Sequence, residues 1–213
     1  MRQWFVALVL VALPGIGLGA QQPKADLPKG QAPDLGRPTD KDDPLPVFDY
    51  ERYFTGKWKF EWFVPDSPFG PGGLIQGIET FHPGHPGHLG ENGRYFKSDV
   101  EGTGPSGEFT AHSMTIYDAE YKFMARRETD SRGFSLMKAG HIGGDLGGYY
   151  TIYYESAPFE YEGQTIRLKT TTVLYSPMHF KVKARISVDG GKYVNFGNPW
   201  WRKEVAGVTD ESK

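Results

Sequence analysis

The sequence predicts an all-β protein, an antiparallel up-and-down barrel of about ten strands. Three observations carry that expectation. Trp58, Phe60 and Trp62 alternate with Lys57, Lys59 and Glu61, so a pleated strand puts three aromatics on one face and three charges on the other. Phe180, Val182, Ala184, Ile186 and Val188 alternate as strictly with Lys181, Lys183, Arg185 and Ser187. Between these two stretches, strand-like runs recur every ~8 to 14 residues with Gly, Asp or Pro at the breaks, and helical periodicity is absent.

A length of 213 residues suits one domain with tails. The chain starts Met1-Arg2-Gln3, continues with apolar Trp4 to Leu13, and reaches Ala20 through a Gly-rich run. One positive charge, a short apolar stretch and a small residue at the exit describe a secretory signal over residues 1–20, cut near Ala20. Leu18 is larger than the residue usual two places before such a cut, so an uncleaved anchor is the competing reading. From Gln21 to Phe48 the composition turns to Pro, Lys, Asp and Gly, a disordered and partly extended leader. The expected location is secreted or periplasmic, with no membrane span once the signal is removed. Cysteine is absent, so export brings neither disulfides nor a lipid-modified cysteine. Losing residues 1–20 removes one Arg and no acid, taking the formal charge from −2 to −3. That charge is too weak to attract nucleic acid or an anionic membrane surface.

Residues 49–204 form the expected barrel domain and 205–213 a disordered tail. Gly56 to Trp62 opens the sheet. Val64 to Gly73 is a long loop by its Pro, Gly and Asp content, and Leu74 to Phe81 resumes as a strand. After a His-Pro-Gly stretch from His82 to His88, strands are expected at Arg94 to Glu101, Glu108 to Tyr117, Tyr121 to Glu128 and Phe134 to His141. Further strands follow at Tyr149 to Glu155, Gln164 to Tyr175 and Phe180 to Val188. Asp189-Gly190-Gly191 supplies the positive backbone angles of a tight hairpin. Lys192 to Lys203 returns as the last strand, bent or interrupted at Pro199. Short connections, with aromatic strand-like sequence at both ends of the domain, favour closure into a barrel over a sandwich. Strands that are aromatic on both faces, such as Tyr149 to Tyr154, suggest a covered outer surface and a homodimer.

Gly56-Lys57-Trp58 near the start and Arg202 in Trp200-Trp201-Arg202-Lys203 near the end resemble the calycin-like proteins, the lipocalins and their relatives. The resemblance implies that Arg202 packs across Trp58 as a structural clasp closing the barrel, a cation over an indole contributing about 0.5 to 2 kcal/mol. A closer resemblance is to a family of secreted bacterial proteins of unknown function with a lipocalin-like barrel. It rests on Gly-x-Trp, Thr115-Ile116-Tyr117-Asp118, Ser131-Arg132-Gly133, Ser187-Val188-Asp189-Gly190-Gly191-Lys192 and the terminal aromatic-Arg-Lys. It spans roughly residues 50–204 and departs at Tyr193, near where Trp is expected, and at the His-Pro-Gly loop.

Candidate chemistry is sparse. His82, His85 and His88 recur every three residues and are the candidate metal ligands. In polyproline II that spacing advances about 9 Å per ring, too far to share one ion, and a solvated rim loop competes with the metal reading. A heme-binding barrel related to the nitrobindins needs His112, His141 or His179 inside as an axial ligand. Gly102-Thr103-Gly104-Pro105-Ser106-Gly107 matches the dinucleotide pattern but lacks the following helix, so it reads as a turn. No nucleophile elbow, zinc-protease motif or phosphate loop is present. Asp118, Glu120, Asp145 and Glu155 fall near strand ends without a spacing that pairs them. The aromatic content suits a packed barrel or a pocket for a flat or apolar ligand equally. The expected function is therefore an exported, non-enzymatic barrel binding a small, largely apolar ligand, with Trp62 and Tyr117 as ligand-binding candidates. No cofactor is named by the sequence. The alternatives are a heme or metal barrel using a histidine, and a cell-envelope enzyme with two carboxylates about 5 to 10 Å apart at a cavity mouth.

Overall fold

The computed structural model describes residues 48–86, 93–144 and 150–205. The expected signal, almost all of the leader and of the tail, His88 and Asp145 lie outside them. Thirteen strands run in chain order: β1 (Gly56–Val64), β2 (Gly73–Phe81), β3 (His85–Pro86), β4 (Gly93–Gly104), β5 (Gly107–Asp118), β6 (Phe123–Asp130), β7 (Ser135–Gly144), β8 (Tyr150–Ser156), β9 (Phe159–Tyr161), β10 (Gln164–Ser176), β11 (His179–Val188), β12 (Val194–Asn195) and β13 (Trp200–Lys203). Ten of them close a ring in the order β1-β2-β4-β5-β6-β7-β8-β10-β11-β13, every pairing antiparallel. Short β3, β9 and β12 extend β4, β10 and β11. The fold is thus the all-β, ten-stranded antiparallel barrel that the alternation predicts. Its seam is β1 against β13, with Trp58 opposite Lys203 and Glu61 opposite Trp200, so neither strand keeps a free edge.

The seam corrects one expectation. Lys203, not Arg202, sits over the Trp58 ring, its Nζ 5.3 Å from the centroid. Arg202 lies 3.9 Å from the Trp200 ring. The reason is the period of two: Trp201 packs on Phe60 and Phe180, so β13 sends Trp201 and Lys203 one way and Trp200 and Arg202 the other. Gly56 does open β1, in the positive-φ region (φ 126°). A side chain there would press on the Lys203 stem.

The last strand is interrupted as Pro199 predicts, and the ladder bridges the gap. Ala184 N–H donates to the Gly197 carbonyl at 3.0 Å and Val182 N–H to the Pro199 carbonyl at 2.8 Å. At the preceding hairpin, Asp189 and Gly190 take φ values of 50° and 73°. The Asp189 carboxylate also accepts from Thr165 N–H at 2.9 Å, tying the turn to β10.

One helical turn, α1 (Tyr50–Phe54), was not foreseen. Asp49 caps it by accepting from Arg52 N–H. Phe48, Tyr50 and Phe54 are buried and plug one end of the barrel against Trp58, Phe81, Phe96 and Tyr117. Two polar bonds fix the plug: Trp58 Nε1 donates to the Phe54 carbonyl at 2.6 Å, and the Tyr117 hydroxyl donates to the Phe48 carbonyl at 2.7 Å. The other end carries two smaller apolar groups, one around Ile166, Ile186 and Phe196, the other around Phe60, Ile75 and Phe109. Between the plug and these groups lies a cavity of about 230 Å³.

Candidate functional site

Phe, Trp, Leu, Ile and Val supply nearly half of the cavity wall, with Tyr, Thr, Ser, Gly and Pro among the rest. A charged belt set by strand phase crosses it. Along β6 the residues facing inward are Met124, Arg126, Glu128 and Asp130, because Met124 and Asp130 are buried and the period is two. Glu79 reaches the same level from β2, between buried Ile75 and Phe81. Lys138 reaches it from β7, between buried Leu136 and Ile142.

An apolar interior tolerates charge only when it is paired and hydrogen-bonded. Glu79 is fully engaged. It accepts from Ser98 Oγ at 2.8 Å, Arg126 Nη2 at 2.7 Å and Trp201 Nε1 at 3.0 Å. Arg126 Nε lies 2.9 Å from Glu128 Oε2, and Lys138 Nζ lies 2.7 Å from the same oxygen. Arg126 and Lys138 are direct cross-strand partners, and two like charges in that position repel. Glu128, one step along β6, relieves the repulsion.

The electrostatics follow. Burial favours the neutral acid of Glu128, but Lys138 and Arg126 outweigh it and hold the carboxyl down at about 2. Burial likewise opposes charge on Arg126, and Glu128 with Glu79 more than restores it, so the guanidinium is held above its usual range. Lys138 titrates below a free lysine because burial exceeds the help from Glu128. The side chains of Arg126, Lys138 and Glu128 keep 15%, 17% and 22% of their surface accessible, and all three line the cavity. Tyr154 completes the belt. Its hydroxyl donates to Met124 Sδ at 3.1 Å and burial pushes its ionisation up.

Nearer the mouth a second ion pair closes on itself. Arg132 grips Asp130 through Nε at 2.8 Å and Nη2 at 2.7 Å while its plane covers the Phe109 ring at 4.2 Å. Residues 65–72 cross this end. Phe69 projects onto Phe134, Tyr161 and Phe196 at 4.9, 5.4 and 5.9 Å, making the loop a cover over the cavity.

Of the residues singled out in sequence, Trp62 lines the cavity. Its indole is anchored by donation to the Phe196 carbonyl at 2.8 Å. Tyr117 belongs to the plug instead and does not line the cavity. The described histidines are not gathered into one cluster. His82 and His112 each bond one oxygen of Asp99 at 2.6 Å on the outer face, holding the Asp99 carboxyl below its usual range. His85 is exposed and stacked on Tyr95. His141 is exposed and stacks on Tyr153, and His179 packs between Tyr175 and Trp200. Among the described residues no group of three His, Cys, Asp or Glu is placed to hold a metal ion, and no described histidine lines the cavity.

Gly102 to Gly107 spans the end of β4, the Pro105–Ser106 turn and the start of β5, with no helix following. Asp118 accepts from Glu120 and Tyr121 N–H in a turn, and Glu155 pairs with Arg167 and Lys169. The belt residues Glu79, Arg126, Glu128 and Lys138 escaped the sequence reading. Their signal was phase: each is a charge at an inward position of its strand, as in Leu136-x-Lys138-x-Gly140-x-Ile142.

No protein-family model matches this chain. A search of curated proteins found no match either.

Proposed function

We propose that the protein is a non-enzymatic, lipocalin-like barrel that binds a small, largely apolar ligand in its interior, and that it acts outside the cytoplasm. The observation supporting this reading is the cavity of about 230 Å³, walled largely by apolar surface, with a charged belt at one level and a second ion pair nearer the mouth. That combination is the usual make-up of a small-molecule site: apolar surface supplies affinity and sparse polar groups supply orientation. The plug and the Phe69 cover shield the space at both ends, so a ligand inside loses most of its contact with water. The signal-like residues 1–20 support the location.

Charge state weighs against the envelope enzyme. Glu79 and Glu128 share Arg126, so two carboxylates do face one cavity. Acid–base cleavage of a glycoside, however, needs one carboxyl free to carry a proton to the leaving group, and both are tied to buried cations, Glu79 to Arg126 at 2.7 Å and Glu128 to Arg126 and Lys138 at 2.9 and 2.7 Å. The placement of the described histidines on the outer face likewise gives the heme alternative no axial ligand among them.

Trp62 and Trp201 line the cavity, so tryptophan fluorescence is the direct test. Titration with the uncharged probe N-phenyl-1-naphthylamine is expected to give one saturable site. Ala111→Phe, which fills the wall, is expected to weaken it at least about tenfold. A linear, unsaturable response, or a well-folded Ala111→Phe with full affinity, would remove the interior from consideration.

A further inference from the structure

We propose that the ligand is an uncharged amphiphile, an apolar body carrying a carbonyl, ester or ether oxygen that accepts hydrogen bonds from Lys138, Arg126 and Tyr154. This rests on the interior-binding reading above and adds the chemistry of the head group. Hydrogen-bond capacity sets the first half of the claim. Glu79 already receives three donors on its two oxygens. The cations are less occupied. Arg126 has five N–H groups; its Nη2 serves Glu79 and Ser98, its Nε faces Glu128, and no acceptor among the described residues meets Nη1. Lys138 has three N–H groups and one carboxylate contact, with Glu128. The Tyr154 hydroxyl spends its proton on a thioether, a weak acceptor that a ligand oxygen readily replaces. All three side chains line the cavity. Glu128 also keeps acceptor capacity, its Oε2 facing only Arg126 Nε and Lys138 Nζ, but the N–H groups left over on Arg126 and Lys138 outnumber it, so the complementary head accepts.

Charge sets the second half. Glu79 and Glu128 balance Arg126 and Lys138, and Asp130 balances Arg132, so the lining contributes no net charge from these pairs. A carboxylate head would add an uncompensated charge to a buried, balanced set, and such a charge is strongly disfavoured. It would also face Glu128, held as an anion. A neutral oxygen takes the same donors without that cost. The belt therefore selects against the anion of an acid while accepting its ester or ketone analogue.

A trio sharing one body separates the possibilities: naphthalene, 2-acetylnaphthalene and 2-naphthoate, each titrated into the intact protein. The ketone is expected to bind at least about tenfold tighter than both others, with its carbonyl stretch lowered on binding. In Tyr154→Phe its advantage over naphthalene shrinks. In Glu128→Gln, which leaves a net positive belt, 2-naphthoate gains on the ketone. Tighter binding of 2-naphthoate to the wild-type protein overturns the uncharged head. Equal binding of naphthalene and ketone overturns the head contact itself and leaves interior binding standing. If none of the three binds and N-phenyl-1-naphthylamine also fails, the underlying reading has fallen with it.

Discussion

Arg126 links the two buried carboxylates of the barrel interior. It separates two buried carboxylates, and truncating it leaves both facing each other and Lys138 alone. Arg126→Leu is expected to cost about 3 to 5 kcal/mol in urea unfolding. The double change Arg126→Leu, Glu79→Leu should cost clearly less than the sum of the two singles, and strict additivity would show that the pair is not coupled. At the seam, Lys203→Met should cost about 0.5 to 1 kcal/mol through the Trp58 contact, while Arg202→Met should leave the buried Trp58 emission unmoved. These residues also mark where the sequence stopped being legible. The Gly56-x-Trp58 opening and a late basic residue were visible, but which of two adjacent cations faces inward depends on strand parity. That parity is fixed by Trp201 packing on Phe60 and Phe180, a contact between distant strands. Glu79, Arg126, Glu128 and Lys138 were harder still. Each looks like a solvent-facing charge until the registers of β2, β6, β7 and β13 bring them to one level.

The covering loop and the plug behave as separable elements. Phe69 helps hold residues 65–72 over the mouth through its ring contacts. Phe69→Ala is therefore expected to speed release of N-phenyl-1-naphthylamine by about tenfold in stopped flow, with a stability loss of about 2 kcal/mol. Unchanged release rates would show that the loop is no cover. At the plug, Tyr117→Phe should cost about 1 kcal/mol by leaving the Phe48 carbonyl unbonded. Probe affinity should stay the same, since Tyr117 does not line the cavity. Several strands were read to within one residue: Leu74 to Phe81 became Gly73–Phe81, Gln164 to Tyr175 became Gln164–Ser176, and Phe180 to Val188 became His179–Val188. The α1 turn was invisible because five residues carry no helical period, and only its Asp49 cap hinted at it. Gly140 was passed over as an ordinary strand residue. In the structure a Cβ there would land on the Tyr153 carbonyl oxygen, so the close approach of β7 and β8 requires glycine.

For the whole molecule, closure and charge combine. Ten strands joined at β1 and β13 leave the ring without an edge, and the charged belt crosses its middle. Glu128 titrates at about 2 in the fold against an ordinary 4.5. A lowered carboxyl contributes stability that is complete above the unfolded value and is lost as pH falls through the folded one. Unfolding free energy should therefore decline from about pH 4.5 toward pH 2, and Glu128→Gln should flatten that decline. Native mass spectrometry with an absorption spectrum, on protein purified from its own host, shows whether the barrel interior carries a ligand. A bound, uncharged organic mass and no Soret band are expected. A clean unliganded mass would instead point to a structural barrel or to an enzyme that releases its product, and a heme mass with a Soret band to the histidine alternative; either result would rule out an uncharged interior ligand.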